Sequence, residues 1–179
     1  MTNTGIFWIR EDFRIENNPA LSYATQNHEN VIALYIYNNI DFDEKREAQK
    51  WWVSKSLESL EKELSDYKIN LEIVKGDELE IFSKINKKDK ISVYWNKIYE
   101  PDVITKGKRI RDQFIKNEIS YKYFKGNILS EFQDITKNDG TPFKVFTPFW
   151  RNAEQVYLNQ PPAQNYTVKK KTKKISYFK

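Results

Sequence analysis

The sequence predicts a doubly wound, Rossmann-like α/β domain with a five-stranded parallel sheet in the order 3-2-1-4-5 and helices on both faces. Five short apolar runs lack polar alternation, which is typical of strands buried on both faces. The runs alternate with segments of helical periodicity, and this alternation is the pattern of βαβ units. Right-handed crossovers favour the stated strand order and place the switch point between the first and fourth strands.

The first predicted strand, residues 6–10, leads into a charged turn at residues 10–14. Asn17 or Asn18 can cap a helix that begins at Pro19, because proline presets the φ angle of a first helical turn. Ligands of doubly wound folds bind at the carboxyl ends of the strands, so this turn borders the expected site. For its charged side chains we favour a structural role, pairing with one another and with backbone carbonyls, over ligand contact.

The later elements follow from the same periodicities. The predicted strands occupy residues 31–37, 71–75, 91–95 and 120–124, and the predicted helices occupy about 19–26, 44–67, 78–85, 102–117 and 148–158. Trp8 and Ile32 are expected to be well buried. On the long second helix, Trp51 lies about 160° around the axis from Val53 of the core stripe, so this large aromatic needs cover from a loop, a ligand or another domain.

Composition excludes several classes of site. The chain has no cysteine and one histidine, so it forms no disulfide, thiolate nucleophile or multi-histidine zinc centre. Its five glycines are isolated from one another, which excludes the Gly-rich turns that cradle phosphates. We assign no catalytic and no metal-ligating residue. His28, in a polar turn, is expected to lie on the surface.

The net charge of +5 resides at the end of the sequence. Residues 169–179 hold six lysines and no acid, and without them the 30 basic residues fall to 24 against 25 acidic ones. The body of the protein is therefore not a basic surface for phosphate-dominated binding. The run at residues 169–174 is interpreted as a solvated linker. With no membrane-length apolar run and no signal-peptide pattern, we expect a cytoplasmic, monomeric protein without a membrane segment.

Four motifs in order along residues 6–151 resemble those of the DNA photolyase and cryptochrome family. They read WIREDFRIENNPAL from Trp8, KWWVSKSL from Lys50, YWN…YEP from Tyr94 and GTPFKVFTPFW from Gly140. The first motif departs from the family pattern by Phe13 for leucine and Asn17 for aspartate. The resemblance covers only the family's N-terminal antenna domain.

This resemblance implies the antenna domain of a class I cyclobutane-dimer photolyase in residues 1–158, with residues 159–179 as a basic linker toward a helical FAD-binding domain outside this chain. In the family, that helical domain acts on UV-damaged DNA as a light-driven carbon–carbon lyase. We therefore expect the chain alone neither to bind FAD nor to repair dimers. The alternatives are a cryptochrome-type photoreceptor domain, a stand-alone nucleotide-binding α/β module and a purely structural domain.

An antenna chromophore is expected at the carboxyl edge of the sheet, where a flat ring can stack on aromatics and meet amides and carboxylates. The candidate binding residues are Tyr37, Asn38, Asn39, Trp51, Asn96, Glu100 and Asp102. Alternatively, Asn96 and Glu100 only tie down a loop and cap the next helix, while Trp51 packs on the helical domain.

The resemblance favours methenyltetrahydrofolate as the chromophore, because it is the commoner cofactor, with deazaflavin or flavin as the alternative. Two departures bear on this choice. Folate-type members carry Asn-Glu where this chain has Asp102 and Val103, and deazaflavin-type members carry arginine where Gln49 aligns.

Overall fold

The computed structural model of the protein describes residues 4–38, 46–159 and 164–178. The chain divides into two compact units. Residues 1–124 and 166–179 make up one unit, and residues 125–165 make up the other.

The first unit is built on a five-stranded, fully parallel sheet in the order β3-β2-β1-β4-β5. Its strands are β1 (Thr4–Ile9), β2 (Val31–Tyr37), β3 (Asn70–Lys75), β4 (Ile91–Asn96) and β5 (Ser120–Phe124). The predicted topology is therefore confirmed. Strand β1 begins earlier than predicted, because Thr4 is already in register with Ile91 of β4.

The described helices are α1 (Pro19–Asn27), α2 (Glu47–Asp66), α3 (Glu78–Lys88), α4 (Pro101–Lys116) and α5 (Phe146–Leu158). Asn18 is the N-cap of α1, and its side chain accepts a hydrogen bond from the Leu21 backbone N–H. The predicted start of α2 at Glu44 lies outside the described residues. Helix α5 begins two residues before Pro148, which is compatible with proline in a first helical turn.

Side chains of the sheet alternate between two cores. On one face Phe7 packs with apolar residues of α1 and α2, and on the other face Trp8 and Ile32 pack with residues of α3 and α4. Trp8 is 3% exposed and Ile32 is fully buried, which confirms both burial predictions. Helices therefore cover both faces of the sheet, and ligand access remains at its edges.

Residues 166–178, which we call the tail segment, return to the edge of the sheet where the strands begin. The phenol of Tyr177 donates a hydrogen bond to Asp89 Oδ2 at 2.7 Å and contacts Thr4 Oγ1 at 2.9 Å. Its backbone N–H donates to Glu72 Oε1 at 2.7 Å. These contacts attach the tail segment to the start of β1, to the turn between α3 and β4, and to β3.

The solvated-linker interpretation of residues 169–174 is wrong at Lys171, which is 9% exposed. Its ammonium donates to the backbone carbonyls of Thr25 at 2.5 Å and His28 at 2.7 Å, at the end of α1. A lysine is buried favourably there because the carbonyls and the dipole at the end of a helix attract a cation. Burial nevertheless lowers the pKa of Lys171.

The expectation that His28 lies on the surface is also wrong. The ring is half-buried and lies against Tyr94, with centroids 5.4 Å apart and Nε2 2.7 Å from the Tyr94 hydroxyl. A Cβ built on Gly5 would lie 2.8 Å from the His28 ring, so the absence of a side chain at Gly5 makes this packing possible.

The second unit contains a 3₁₀ turn (Phe132–Asp134) and α5. Its predicted turn is confirmed: Gly140 has a φ of 78°, and Asp139 accepts hydrogen bonds from the Thr141 backbone and hydroxyl. Along α5, Phe146 is 71% exposed, and its ring stacks on that of Trp150 with centroids 6.3 Å apart. Throughout the described ranges, no helix is long and apolar enough to cross a membrane.

Candidate ligand cleft

An open cleft of about 340 Å³ lies where β1, β2 and β4 end. This edge is the carboxyl edge of the sheet, and β1 and β4 flank the predicted switch point. The cleft is lined by Trp8, Ile9, Arg10, Glu11, Tyr35, Ile36, Tyr37, Glu78, Ile98, Glu100, Asp102, Val103 and Lys106. Its volume is within the range of small-molecule sites.

Three aromatic residues, Trp8, Tyr35 and Tyr37, are among those that line the cleft. Trp8 and Tyr35, from adjacent strands, are only 3% and 7% exposed and pack in the cores on opposite faces of the sheet. The Arg10 guanidinium lies 4.8 Å from the centroid of the Trp8 ring, a cation–π contact that fixes it at the end of β1. Burial lowers the pKa of Arg10, while the carboxylates of Glu78 and Glu11 oppose that change.

An ion pair joins the two helices at the mouth of the cleft. Lys106 Nζ of α4 lies 2.6 Å from Glu78 Oε1 at the start of α3. The Glu78 side chain is 14% exposed, so this pair is less screened by solvent than an ordinary surface pair. The pair therefore holds α3 and α4 together beside the cleft.

A network of buried amides lies behind the cleft. The Asp12 carboxylate accepts a short hydrogen bond from Asn96 Nδ2 and a longer one, 3.4 Å, from the backbone N–H of Arg10. Asn96 Nδ2 also donates to Asn18 Oδ1 at 2.9 Å, and Asn96 Oδ1 accepts from the Ala20 N–H at 3.2 Å. Thus Asp12 has the structural role predicted for the charged turn, while Arg10 lines the cleft.

Burial raises the pKa of Asp12, and its hydrogen bonds with Asn96 and the Arg10 backbone partly offset this effect. An ionised carboxylate is tolerated here because several N–H groups point at it. The network joins the ends of β1 and β4 to the start of α1, and so fixes the walls of the cleft relative to one another.

The structure brings together three of the predicted binding residues. Tyr37, Glu100 and Asp102 all line the cleft. Asn96 is 4% exposed, and its amide belongs to the network behind the cleft. That placement matches the alternative in which Asn96 ties down the loop, although it caps α1 rather than the following helix.

Two further predicted binding residues, Trp51 and Asn38, do not line the cleft. Trp51 is 57% exposed and lies beside Trp52, with ring centroids 5.8 Å apart. Asn38 is half-buried, and Asn39 lies outside the described residues. The sequence did not predict Trp8 as a lining residue, because a residue in a strand that is buried on both faces is expected to belong to the core. The signal that could have found it is its place next to the last residue of β1.

The sequence of this chain is similar to those of known proteins. Residues 5–167 match the sequence model of the family described as DNA photolyase. The chain belongs to the DNA photolyase family. A deoxyribodipyrimidine photo-lyase of Agrobacterium fabrum is 28% identical over 181 residues, which cover 97% of this chain and 38% of that protein. Cryptochrome-2 of Arabidopsis thaliana is 28% identical over 172 residues, covering 90% of this chain and 28% of that protein.

Solved photolyases share the fold. The crystal structure of a bacterial class III photolyase from Agrobacterium tumefaciens matches with a TM-score of 0.83 and 25% identity, over 100% of this chain and 36% of that one. An archaeal photolyase from Sulfolobus tokodaii, solved with two FAD molecules, matches with a TM-score of 0.75 and 22% identity, over 96% and 38%. The chain thus spans between about a quarter and two fifths of the length of these relatives.

The predicted family membership is confirmed, and the relatives include both photolyases and cryptochromes. The finer prediction of class I is not confirmed, because a solved relative is described as class III.

Proposed function

We propose that this chain is the light-harvesting part of a deoxyribodipyrimidine photo-lyase and that its cleft binds the antenna chromophore. The observation that carries the proposal is the cleft at the carboxyl edge of the sheet, which is lined by Tyr37 at the end of β2 and by the carboxylates of Glu100 and Asp102 beyond β4. An aromatic side chain with a few convergent polar groups is a suitable site for a flat conjugated ring.

The residues that line the cleft have different roles in binding. Tyr37 stacks on the ring, Glu100 and Asp102 accept hydrogen bonds from its polar edge, and the Glu78–Lys106 pair limits the mouth. The bound chromophore would supply absorption of near-ultraviolet or blue light. Methenyltetrahydrofolate stays the favoured chromophore, with deazaflavin or flavin as the alternative.

The partner we propose is the FAD-binding helical domain of the photolyase, which would bring in UV-damaged DNA. Trp51 and Trp52, 57% and 65% exposed on α2, support docking on such a partner because they cover no core of their own. Assignment to class I belongs to this proposal. A cryptochrome-type photoreceptor is the second candidate, favoured by the similarity to Arabidopsis cryptochrome-2.

The test of the site uses the full chain of 179 residues and two probes, methenyltetrahydrofolate and riboflavin. Absorbance and fluorescence titrations should show binding of at least one probe. Tyr37→Ala should weaken it about ten-fold, because a stacking contact is lost. Trp51→Ala, outside the cleft, is the matched control and should leave the affinity unchanged. Loss of binding in the control alone, or in neither variant, would place the site elsewhere.

The second part of the proposal concerns activity. The chain alone should neither retain FAD nor reverse cyclobutane dimers under blue light, because repair requires the helical domain. Dimer reversal is measured as the return of thymine absorbance in irradiated oligonucleotides. Repair by the isolated chain would contradict this division of labour.

A further inference from the structure

Doubly wound folds usually bind phosphate at the amino ends of helices that follow the strands, where backbone N–H groups and the helix dipole attract anions. In this protein the helix α1 offers no such group at its start. Pro19 has no N–H, the Ala20 N–H donates to Asn96 Oδ1 at 3.2 Å, and the Leu21 N–H donates to Asn18 Oδ1 at 3.1 Å. The first N–H groups of α1 are therefore taken by the chain's own amides.

Helix α3 is occupied in the same way. Asp77 accepts hydrogen bonds from the backbone N–H groups of Leu79 at 2.9 Å and Glu80 at 3.2 Å. The next residue, Glu78, places a second carboxylate at the edge of the cleft, and its partner Lys106 lies 2.6 Å away. An incoming phosphate would compete with two carboxylates for this helix end.

Helix α4 begins with two acids around a proline. Glu100 is its N-cap, Pro101 has no N–H, and Asp102 lies in the first turn. Both acids line the cleft. The Glu100 side chain makes no cap hydrogen bond to the helix, but the negative charges of the two acids oppose an incoming phosphate at this helix end.

The charges of the lining residues point the same way. Among the described residues, four carboxylates and two cations face the cleft, a net charge of −2. One cation, Arg10, is fixed over Trp8, and the other, Lys106, is paired with Glu78.

We propose that the cleft selects a flat ring without phosphate groups, neutral or cationic, whose N–H or amino edge faces Glu100 and Asp102. This rests on the proposed chromophore site and adds the charge class of its ligand. A phosphate in the cleft meets carboxylates at α3 and α4 and finds the first N–H groups of α1 and α3 already bonded. FMN and FAD are thereby discriminated against, relative to the same ring without a phosphate.

Three probes with one ring system test this selection: riboflavin, FMN and FAD, with no, one and two phosphates. Quenching of flavin fluorescence by the full chain gives the three dissociation constants. At low salt, riboflavin should bind about ten-fold more tightly than FMN, and the ratio should fall toward one near 0.5 M salt because screening shortens the reach of the carboxylates. FMN or FAD binding as tightly as riboflavin would overturn the inference while leaving the site itself intact.

A charge variant separates electrostatics from shape. The double substitution Glu100→Gln and Asp102→Asn raises the net charge of the lining by two with little change of volume, and should bring the riboflavin-to-FMN ratio close to one. Asp112→Asn removes an acid from α4 that does not line the cleft and should leave the ratio unchanged. A ratio unaffected by the double substitution contradicts the inference. Absence of binding by all three flavins contradicts both the flavin-type site and the inference, and circular dichroism verifies that each variant is folded.

Discussion

At Gly5 the first strand passes so close to His28 that a Cβ would lie 2.8 Å from the ring atom Cδ2 and 3.0 Å from Cγ. The ring has little freedom to move, because its other side contacts Tyr94. We therefore expect Gly5→Ala to destabilise the protein by about 1–3 kcal/mol, the usual range for overpacking. Urea unfolding followed by circular dichroism measures this difference.

Gly107 provides the matched control. It lies inside α4, and a Cβ there would meet only Arg111 Nη1, at an ordinary contact distance of 3.5 Å. Gly107→Ala should stabilise the protein by about 0.5–1 kcal/mol through helix propensity. If both glycine variants changed the unfolding free energy in the same direction, the contact with His28 would not be the cause of the effect of Gly5→Ala.

Asp12 should make the stability of the protein depend on pH. Burial raises its pKa, so the folded state holds the proton more tightly than the unfolded chain does. The stability that this carboxyl contributes is therefore full below its ordinary pKa of about 3.9 and declines as pH rises through the folded value. The difference in unfolding free energy between the wild type and Asp12→Asn should shift in favour of the wild type between pH 7 and pH 4.

The same substitution has a second effect at constant pH. An amide at position 12 accepts with one oxygen only, so one N–H of the network loses its partner, at a cost of about 1–3 kcal/mol at pH 7. A pH-independent difference between the two proteins would contradict the titration of Asp12, whatever its size.

The position of Asn96 shows where sequence reasoning at this scale ends. An amide at the end of β4 was predicted either to face a ligand or to tie down its loop, and its side chain binds Asp12 and Asn18, 84 and 78 residues earlier in the chain. Nothing local to Asn96 determines that direction. The pairing of the three residues follows only once β1, β4 and α1 have been placed.

At the scale of elements, the strands β1, β2 and β4 were predictable because their burial gives each one a local apolar signature. The edge strands β3 and β5 are more exposed: Ile73 of β3 is 51% exposed, and in β5 Tyr121 and Tyr123 lie against Trp95 while Lys122 is exposed. The tail segment has no comparable signature. Its lysines indicate solvent, and its anchoring depends on carbonyls at the end of α1 and on acids from β3 and the turn before β4.

We expect Tyr177→Phe to loosen the tail segment and destabilise the first unit by about 1–2 kcal/mol. The reason is that Asp89 and Thr4 both lose their hydrogen bond with the phenol hydroxyl. Tyr157→Phe, on an exposed position of α5, is the control and should change stability by less than about 0.5 kcal/mol. Thermal unfolding monitored by circular dichroism compares the two variants.

The pKa of the Tyr177 phenol should also be detectable in a spectroscopic titration. Burial and the nearby charges of Asp89 and Glu72 raise its pKa to about 12. Its contribution to stability is thus complete below about pH 10, the ordinary tyrosine value, and is lost as pH approaches the folded value. Absorbance at 295 nm should show a late-titrating tyrosine that is absent from Tyr177→Phe. Loss of a tyrosine that titrates near pH 10 in the variant, with the late phase unchanged, would mean that the Tyr177 phenol is solvated.

For the whole molecule, topology predicted which edge of the sheet carries the cleft, since the switch point follows from strand order alone. The composition of the walls was harder to foresee. Tyr37, Glu100 and Asp102 follow or end strands and were found, whereas Glu78 and Lys106 belong to helices that meet only in the folded chain. The family motifs predicted which proteins this chain is related to, but they did not predict that Glu78 and Lys106 line the cleft.

The hydrogen bond between Thr4 and Tyr177 has a consequence for engineering. It places the first and last described segments within one side chain's reach, at the edge of the sheet opposite the cleft. A short glycine–serine linker would join them, and new termini opened at the exposed turn Asn138–Gly140 would give a circular permutant. Such a protein should keep the parallel sheet, while any fusion partner carried on the linker would lie at the edge of the sheet opposite the cleft.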